Sequence, residues 1–290
     1  MDKAMEKARV LMEALPYIKD YYGKTVVVKV GGKAMENADL KEKFASDIVL
    51  MRYVGMNPVI VHGGGPQVTE YMERLSLEVR FVDGHRVTDS STMEIAKMVL
   101  VGKVNKEIVS MINRHGTLAV GLSGEDGNLL MARKKSHAAS KGQIDLGFVG
   151  EVAMVNPAIL NNLMKEEFIP VVASIGADES GQSYNINADL VAGSLASALK
   201  ADKLIYLTDV DGIYQDMEDA SSLIPELNSR EAVRLIEEGG LASGMLPKIE
   251  SCIEALRGGV RRAHIINGTV DHALLLELYT DAGVGTMVVA

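Results

Sequence analysis

Short apolar runs alternate with stretches of helical period along most of this chain. Thr25–Val30, Pro58–Val61, Thr117–Leu122, Ile169–Ser174, Lys203–Thr208, Ala263–Ile266 and Thr286–Val289 are compact runs of strand character. Leu40–Val54, Gln67–Leu75, Thr92–Leu100, Val104–Asn113, Pro157–Met164, Ser229–Glu238, Met245–Leu256 and His272–Leu278 carry helical spacing. Continuous apolar strands separated by helices predict a mostly parallel sheet covered on both faces. Leu129–Lys135 and Ile144–Val155 alternate instead and predict antiparallel hairpins. At the N-terminus Ala4, Ala8, Leu11, Leu15 and Ile18 form a narrow helical stripe. Pro16 within it is expected to kink or end the helix. The stripe serves either its own domain or a neighbouring subunit.

The chain is organised around Tyr184–Asn185–Ile186–Asn187–Ala188–Asp189, which precedes the apolar helical run to Leu199. In extended chain the two amides and the carboxylate point one way. Asn187 and Asp189 are both good helix caps. The stretch reads as a grip for a small polar ligand or simply as a capped helix. The expected strand ends repeat a second signal: Gly31–Gly32, Gly63–Gly64–Gly65, Ser123–Gly124, Ser174–Ile175–Gly176, Thr208–Asp209 and Asn267–Gly268. Ligands of parallel sheets bind beyond the carboxyl ends of strands. Small residues there let backbone N–H groups approach an anion closely. An anion-binding crevice explains the repetition better than a series of turns.

Composition narrows the field. The chain has 290 residues, net charge −9, 47% hydrophobic residues, no tryptophan and one cysteine, Cys252. This predicts a soluble, cytoplasmic globular protein with an aliphatic core. The acidic balance argues against nucleic acid or an anionic membrane as partner. A lone cysteine excludes an internal disulfide and a cysteine metal cluster. No apolar run reaches membrane-spanning length, and the charged first 22 residues do not read as a signal peptide.

Common phosphate motifs are absent. Gly23–Lys24–Thr25 looks like the end of a Walker A loop, but Ile18 stands where its first glycine belongs. No G-x-G-x-x-G follows a strand. Lys29 lies inside an apolar strand, where a charge needs a partner or a ligand. Lys248 follows Gly244–Met245–Leu246–Pro247 near a helix start, where the dipole disfavours a cation; it is either solvated or held by an anion. Arg86, in a loop before a helix, is either a surface residue or a bidentate grip on a carboxylate. His62 and His85 lack metal-spaced partners and read as structural or loop residues.

With these residues assembled, the chain resembles the amino-acid-kinase family. The resemblance rests on Lys29–Val30–Gly31–Gly32, Val61–His62–Gly63–Gly64–Gly65–Pro66, Gly84–His85–Arg86–Val87–Thr88, Val101–Gly102–Lys103–Val104–Asn105, Gly121–Leu122–Ser123–Gly124, Asn185–Ile186–Asn187–Ala188–Asp189, Thr208–Asp209–Val210–Asp211–Gly212 and Gly244–Met245–Leu246–Pro247–Lys248. The Arg86 and Asn185–Asp189 segments are similar to the acetylglutamate branch in particular. Val30 stands where the family often has an aromatic residue.

The resemblance implies an open three-layer αβα sandwich, α/β in class, with a mostly parallel central sheet. It implies a helical arm over residues 1–22, a substrate lobe over 23–180 and an ATP lobe over 181–290. The implied reaction is ATP-dependent phosphorylation of the γ-carboxylate of N-acetyl-L-glutamate in arginine biosynthesis. Lys29 and Lys248 would flank the phosphoryl group, with Asp189 between them. Gly31, Gly32 and Gly64 would cradle it. Gly64, Gly65, Arg86, Asn185 and Asn187 would bind or wall the acceptor. Thr208, Asp209, Gly212, Tyr214, Gly240 and Ala242 would hold the nucleotide, with Mg2+ held mainly by phosphates and water and by no dedicated protein ligand. His264, Glu277 and Gly283 would line a site for L-arginine as inhibitor, Glu277 pairing with its guanidinium. A homo-hexamer, a trimer of dimers joined through the arm, is also implied. Nothing in the residues supports a PII signal protein as partner. The rival readings are kinases acting on acetylaminoadipate, aspartate, carbamate or UMP, and a non-catalytic arginine sensor. Retention of Lys29, Asp189 and Lys248 argues against the sensor.

Overall fold

The computed structural model describes residues 2–31, 35, 37–139, 142–216, 219–238, 244–280 and 283–290. The chain begins with α1 (Asp2–Tyr21), β1 (Thr25–Val30), α2 (Ala38–Tyr53), β2 (Asn57–His62) and α3 (Gly65–Arg74). A short hairpin follows, β3 (Phe81–Val82) and β4 (His85–Arg86). Next come α4 (Ser90–Lys97), a π-helical segment (Met98–Val104) and α5 (Asn105–Asn113), then β5 (Ala119–Ser123) and β6 (Leu130–Lys134). β7 (His137–Ala139), β8 (Gly142–Ile144), β9 (Val149–Val155), α6 (Ala158–Lys165), β10 (Ile169–Ala173), β11 (Ile175–Ala177) and β12 (Ser183–Ile186) lead to α7 (Ala188–Ala198). The remainder is β13 (Lys203–Thr208), β14 (Glu226–Asn228), α8 (Ser229–Glu237), α9 (Leu246–Arg257), β15 (Arg262–Asn267), α10 (Ala273–Tyr279) and β16 (Thr286–Val289).

The main sheet has eight strands in the order β14-β16-β15-β13-β1-β2-β10-β5. Neighbours are parallel except β15 with β16. Helices cover both faces, as the run of buried strands requires. The strand period of two divides the core cleanly. On β1, Val26, Val28 and Val30 join the cluster packed under α2, α4, α5 and α10. Val27 joins the opposite cluster, under α7 and α9. Each such fully buried aliphatic side chain contributes roughly 1.5–3 kcal/mol. Lys29 shares the parity of Val27 and so points to the α7 and α9 side. A second, four-stranded closed sheet, β11-β12-β9-β6, sits beyond the carboxyl ends of β10 and β5.

Several expectations change. Pro16 does not end α1, which continues to Tyr21. The N-terminal part of this helix is exposed, so the loss of one N–H and a local splay disturb no packing there. Met5, Val10, Leu11, Met12 and Leu15 all stand exposed on it. The two helices expected over residues 92–113 are one continuous rod with a π turn in its middle. β6 and β9 are antiparallel as expected, but the β7–β8 hairpin is inserted between them. The turn at residues 178–182 joins β11 to β12.

α7 and α9 lie unusually close. A β-carbon on Gly193 of α7 would fall inside the Ser251 side chain of α9, and one on Gly258 would fall inside Ser197. Gly193→Ala should therefore force the helices apart. It is expected to cost about 1–3 kcal/mol by urea denaturation, the range for overpacking a core. An unchanged midpoint would show that the helices can slide at no cost.

Candidate active site

Three elements bring the central ion cluster together. β1 presents Lys29 by parity. α7 presents Asp189 in its first turn, capped by Asn187, whose side chain accepts from the N–H groups of Asp189 (2.8 Å) and Leu190 (3.4 Å). α9 presents Lys248 in its first turn, directly after Pro247. Lys29 Nζ lies 2.8 Å from Asp189 Oδ1 and Lys248 Nζ 3.0 Å from Asp189 Oδ2. Lys248 also donates to the Gly244 carbonyl at 3.0 Å. Burial alone would raise the Asp189 pKa, but Lys29 and then Lys248 outweigh it and hold the carboxyl below its ordinary value. The backbone of the same residue is held as well. Ser251 Oγ donates to the Asp189 carbonyl at 2.7 Å, and Tyr206 Oη, 3.1 Å from the same carbonyl, donates to Ser251 Oγ at 2.5 Å, since two hydroxyl protons serve three contacts. Gly31 leaves room for the Lys29 ammonium, which would sit 3.1 Å from any β-carbon there.

Beside this cluster, across Ala188, opens a cavity of about 460 Å³. Gly64, Gly65, Arg86, Asn185 and Asn187 all line it. Arg86 is 8% exposed. Its Nη2 donates to the Gly65 carbonyl (2.9 Å) and Thr69 Oγ1 (2.7 Å), and its guanidinium lies 4.7 Å from the Phe81 ring centroid. It makes no ion pair with any described residue, and desolvation lowers its pKa. A buried cation without a counter-charge is costly, and an anion in the cavity would relieve that cost. The Asn185 side chain faces the same cavity without a hydrogen bond to the described residues. The expectation that three alternate polar groups point one way is corrected here. β12 ends at Ile186, and Asn187 turns back to cap α7.

The other expected residues fall elsewhere. Thr208 ends β13, and the loop after it is tied to the ends of β15 and β16. Asp211 accepts from Tyr214 Oη (2.8 Å) and Asn267 Nδ2 (2.8 Å), and Ile213 N–H donates to Thr286 Oγ1 (2.8 Å). Gly212 has no room for a side chain against Thr286 and Leu223. Asp209 belongs to the same loop. Gly32, Gly240 and Ala242 lie outside the described residues. On the opposite face of the sheet, Glu277 of α10 accepts from His264 Nδ1 (2.7 Å) and Lys203 Nζ (3.0 Å) at one oxygen. Its other oxygen accepts the Val284 N–H at 3.3 Å, just past Gly283. Burial opposes its ionisation, but the His264 bond and the Lys203 charge bring its pKa down to about 2. An incoming guanidinium would therefore meet a carboxylate already paired with Lys203.

Sequence reasoning missed the groups behind the site: Tyr206 and Ser251 on the Asp189 carbonyl, Thr69 and Phe81 on Arg86, and Asn105 on His62. Strand parity could have found one of them: Tyr206 shares the side of Leu204.

Comparison with known proteins places this geometry. The amino acid kinase family profile matches residues 24–267. The chain belongs to the amino acid kinase family. Within it, acetylglutamate kinase from Moorella thermoacetica is 55% identical over 289 residues, 98% of each chain. Acetylglutamate kinase from Pelotomaculum thermopropionicum is 56% identical over 293 residues, 99% of each. Among solved structures, N-acetylglutamate synthase from Neisseria gonorrhoeae, complexed with coenzyme A and N-acetyl-glutamate, superposes with a TM-score of 0.84 at 29% identity. The match covers 98% of this chain and 63% of that one, so the chain spans less than two thirds of the synthase. Carbamate kinase from Giardia lamblia (TM-score 0.70, 18% identity, 92% and 98% coverage) shares the fold.

His62 offers a test of the site's burial. Desolvation lowers its pKa from 6.5 to about 4. Between those values the unfolded chain binds more protons than the native one, so stability rises with pH. The contribution should be complete above pH 6.5 and disappear as pH falls to 4, about 3 kcal/mol in all. The stability difference between wild type and His62→Gln should shrink across that window in denaturant titrations. A difference independent of pH would contradict it.

Proposed function

We propose that this protein is an acetylglutamate kinase: it transfers the γ-phosphoryl group of ATP to the γ-carboxylate of N-acetyl-L-glutamate, giving ADP and N-acetyl-L-glutamyl 5-phosphate, a step of arginine biosynthesis. The observation that carries the reading is the Lys29–Asp189–Lys248 bridge beside a cavity holding a buried guanidinium that makes no ion pair with the described residues. The curated relatives at more than half identity bear the same name.

The chemistry asks little covalent work of the protein. The acceptor carboxylate is ionised at neutral pH, so no general base is required. The task is to bring two anions together and stabilise the charge on the transferring group. Lys29 and Lys248 supply that charge, and Asp189 keeps the two ammonium groups near one point. The Gly31, Gly32 and Gly64 N–H groups complete the cradle. Arg86 takes the acceptor's α-carboxylate, Asn185 its acetamido group, and Gly65 lends backbone contact. Asn187 supports this wall by fixing the start of α7.

ATP lies over the C-terminal lobe in this reading, held by Thr208, Asp209, Gly212 and Tyr214 together with Gly240 and Ala242. Mg2+ enters with the nucleotide. No group of three carboxylate, histidine or cysteine side chains among the described residues could hold a metal, and both Asp189 oxygens face ammonium groups. The residues therefore fit an ion carried by phosphates and water, which when bound neutralises phosphate charge.

Arginine feedback and a hexamer belong to the same proposal. The exposed apolar stripe of α1 supports an intersubunit arm. A structural neighbour was solved with coenzyme A and L-arginine. Arginine would use His264, Gly283 and the less occupied oxygen of Glu277.

ADP release in a coupled assay should be fastest with N-acetyl-L-glutamate among acetylaminoadipate, aspartate, carbamate and UMP, and added arginine should slow it. Preference for another acceptor would overturn the assignment. Lys29→Ala and Lys248→Ala are each expected to lower turnover at least about a hundredfold, the typical loss for one preorganised donor. Arg86→Ala should chiefly raise the KM for the acceptor; an effect confined to ATP would contradict its role. Deleting residues 1–20 should leave dimers in sedimentation and weaken arginine inhibition, whereas persisting hexamers would reject the arm.

A further inference from the structure

Parity on β2 sends His62 to the side of the sheet away from Lys29, among the residues packed under α5. It is 1% exposed. Its Nδ1 lies 2.8 Å from the carbonyl oxygen of the next residue, Gly63. A carbonyl only accepts, so Nδ1 must carry the proton. The other ring nitrogen, Nε2, lies 3.1 Å from Asn105 Nδ2. The sense of the Asn105 amide follows from its other neighbours. Nδ2 also faces the carbonyls of Val171 (2.9 Å) and Leu122 (3.3 Å), and Oδ1 faces the Lys106 ammonium at 3.3 Å. The NH2 group therefore faces the ring; its two protons serve the two shorter contacts, Val171 and Nε2, leaving the Leu122 carbonyl the longest, and Nε2 accepts. One tautomer satisfies both contacts: neutral, with the proton on Nδ1. Burial, which disfavours the imidazolium, points the same way.

The consequence lies one peptide further on. The Gly63–Gly64 peptide is planar and trans. Fixing its C=O fixes the Gly64 N–H in the opposite direction. That N–H donates to no described residue, and Gly64 lines the acceptor cavity. The π segment braces the same peptide from behind. A β-carbon on Gly64 would lie 2.6 Å from Leu100 Cδ2 and 3.2 Å from Val104 Cγ2. π turns recur where a helix must adjust to a functional site.

We propose that His62, held in its Nδ1–H tautomer by Asn105, is a positioning residue for phosphoryl transfer: it pins the Gly63 carbonyl and so aims the Gly64 N–H at the transferring group. The inference rests on the phosphoryl-transfer reading above. It assigns to a residue that the sequence marks as merely structural a control over where the cradle's donor points. Because the donor meets developing charge, its loss falls on turnover rather than on ground-state binding.

The tautomer is read directly by 15N NMR of ring-labelled histidine, with His62 assigned by its disappearance in His62→Asn. The expected state is neutral and Nδ1-protonated from pH 7 down to about pH 5. An Nε2–H ring or an imidazolium overturns the proposal without reference to activity. His62→Leu removes the donor and should lower kcat by about tenfold or more, with both KM values within about twofold. His62→Asn, which offers an amide N–H near the Nδ1 position, should recover most of that loss. The affinity of ADP–aluminium fluoride in the presence of acceptor should fall in the Leu variant by a similar factor, while that of ADP alone stays unchanged. Equal weakening of both, unchanged kcat in the Leu variant, or no rescue by Asn would each reject the positioning role. If the Leu variant does not fold, the wild-type NMR and the Asn kinetics decide. Wild-type protein that releases no ADP with any acceptor would instead reject the function, leaving the tautomer to be judged on its own.

Discussion

Two ammonium groups held by one buried carboxylate set the terms for the rest of this structure. Asp189 has 7% of its side chain exposed, and Lys29 and Lys248 about as little. Taking charges from water is costly, and removing one member of a buried pair costs about 3–5 kcal/mol. The trio carries a net charge of +1. A buried excess of positive charge is a poor stability device but a good receptor, because an arriving anion completes it. The cavity beside it repeats the logic, since Arg86 is buried without a carboxylate partner among the described residues. Two excess positive charges thus lie in and beside one cavity.

The opposite face of the sheet gives a useful contrast. Lys203 and His264 have the parity of Ile205 and Ile266, and both meet Glu277 of α10. Desolvation lowers the His264 pKa, so this cluster is a lysine and a glutamate with a neutral imidazole between. Its charges balance within the protein. A ligand that binds at the carboxylate must exchange partners, while His264 Nε2 is buried without a hydrogen-bond partner among the described residues. That suits a site whose occupation reports to the fold better than one where chemistry happens, and it separates the two ionic clusters by physics rather than by analogy.

Strand and helix periodicity made the layered α/β architecture legible, because strands buried on both faces cannot hide their composition. Lys29 was legible for the same reason: one charge interrupts a valine run. Arg86 and Asn185 stood out only once family resemblance joined them. Other features left no local trace. The four-stranded closed sheet depends on pairing of the β11–β12 hairpin with β6 and β9, which are distant from it in sequence. The π turn leaves a helical apolar pattern nearly intact, so residues 92–113 read as ordinary helix. Pro16 misled because helix breaking depends on packing as well as on propensity. Tyr206 and Ser251 looked like core positions, and they are; their hydroxyl groups matter because of one carbonyl on another element.

That carbonyl explains how lysine and aspartate can be held on separate helices and still meet. Lys248 and Ser251 are three residues apart on α9 and so share a face. The first takes the side chain of Asp189 and the second its backbone. Two contacts from one helix to one residue fix both the distance and the rotation between α7 and α9. They require the helices to approach more closely than ordinary side chains allow, which is why Gly193 lies against Ser251 and Gly258 against Ser197. Small residues at these crossings thus set the position of an ammonium group that they do not touch. The same reasoning applies across the sheet, where an imidazole sets the direction of a backbone N–H. In both cases the group that would meet the phosphoryl is aimed by a buried neighbour that never touches it.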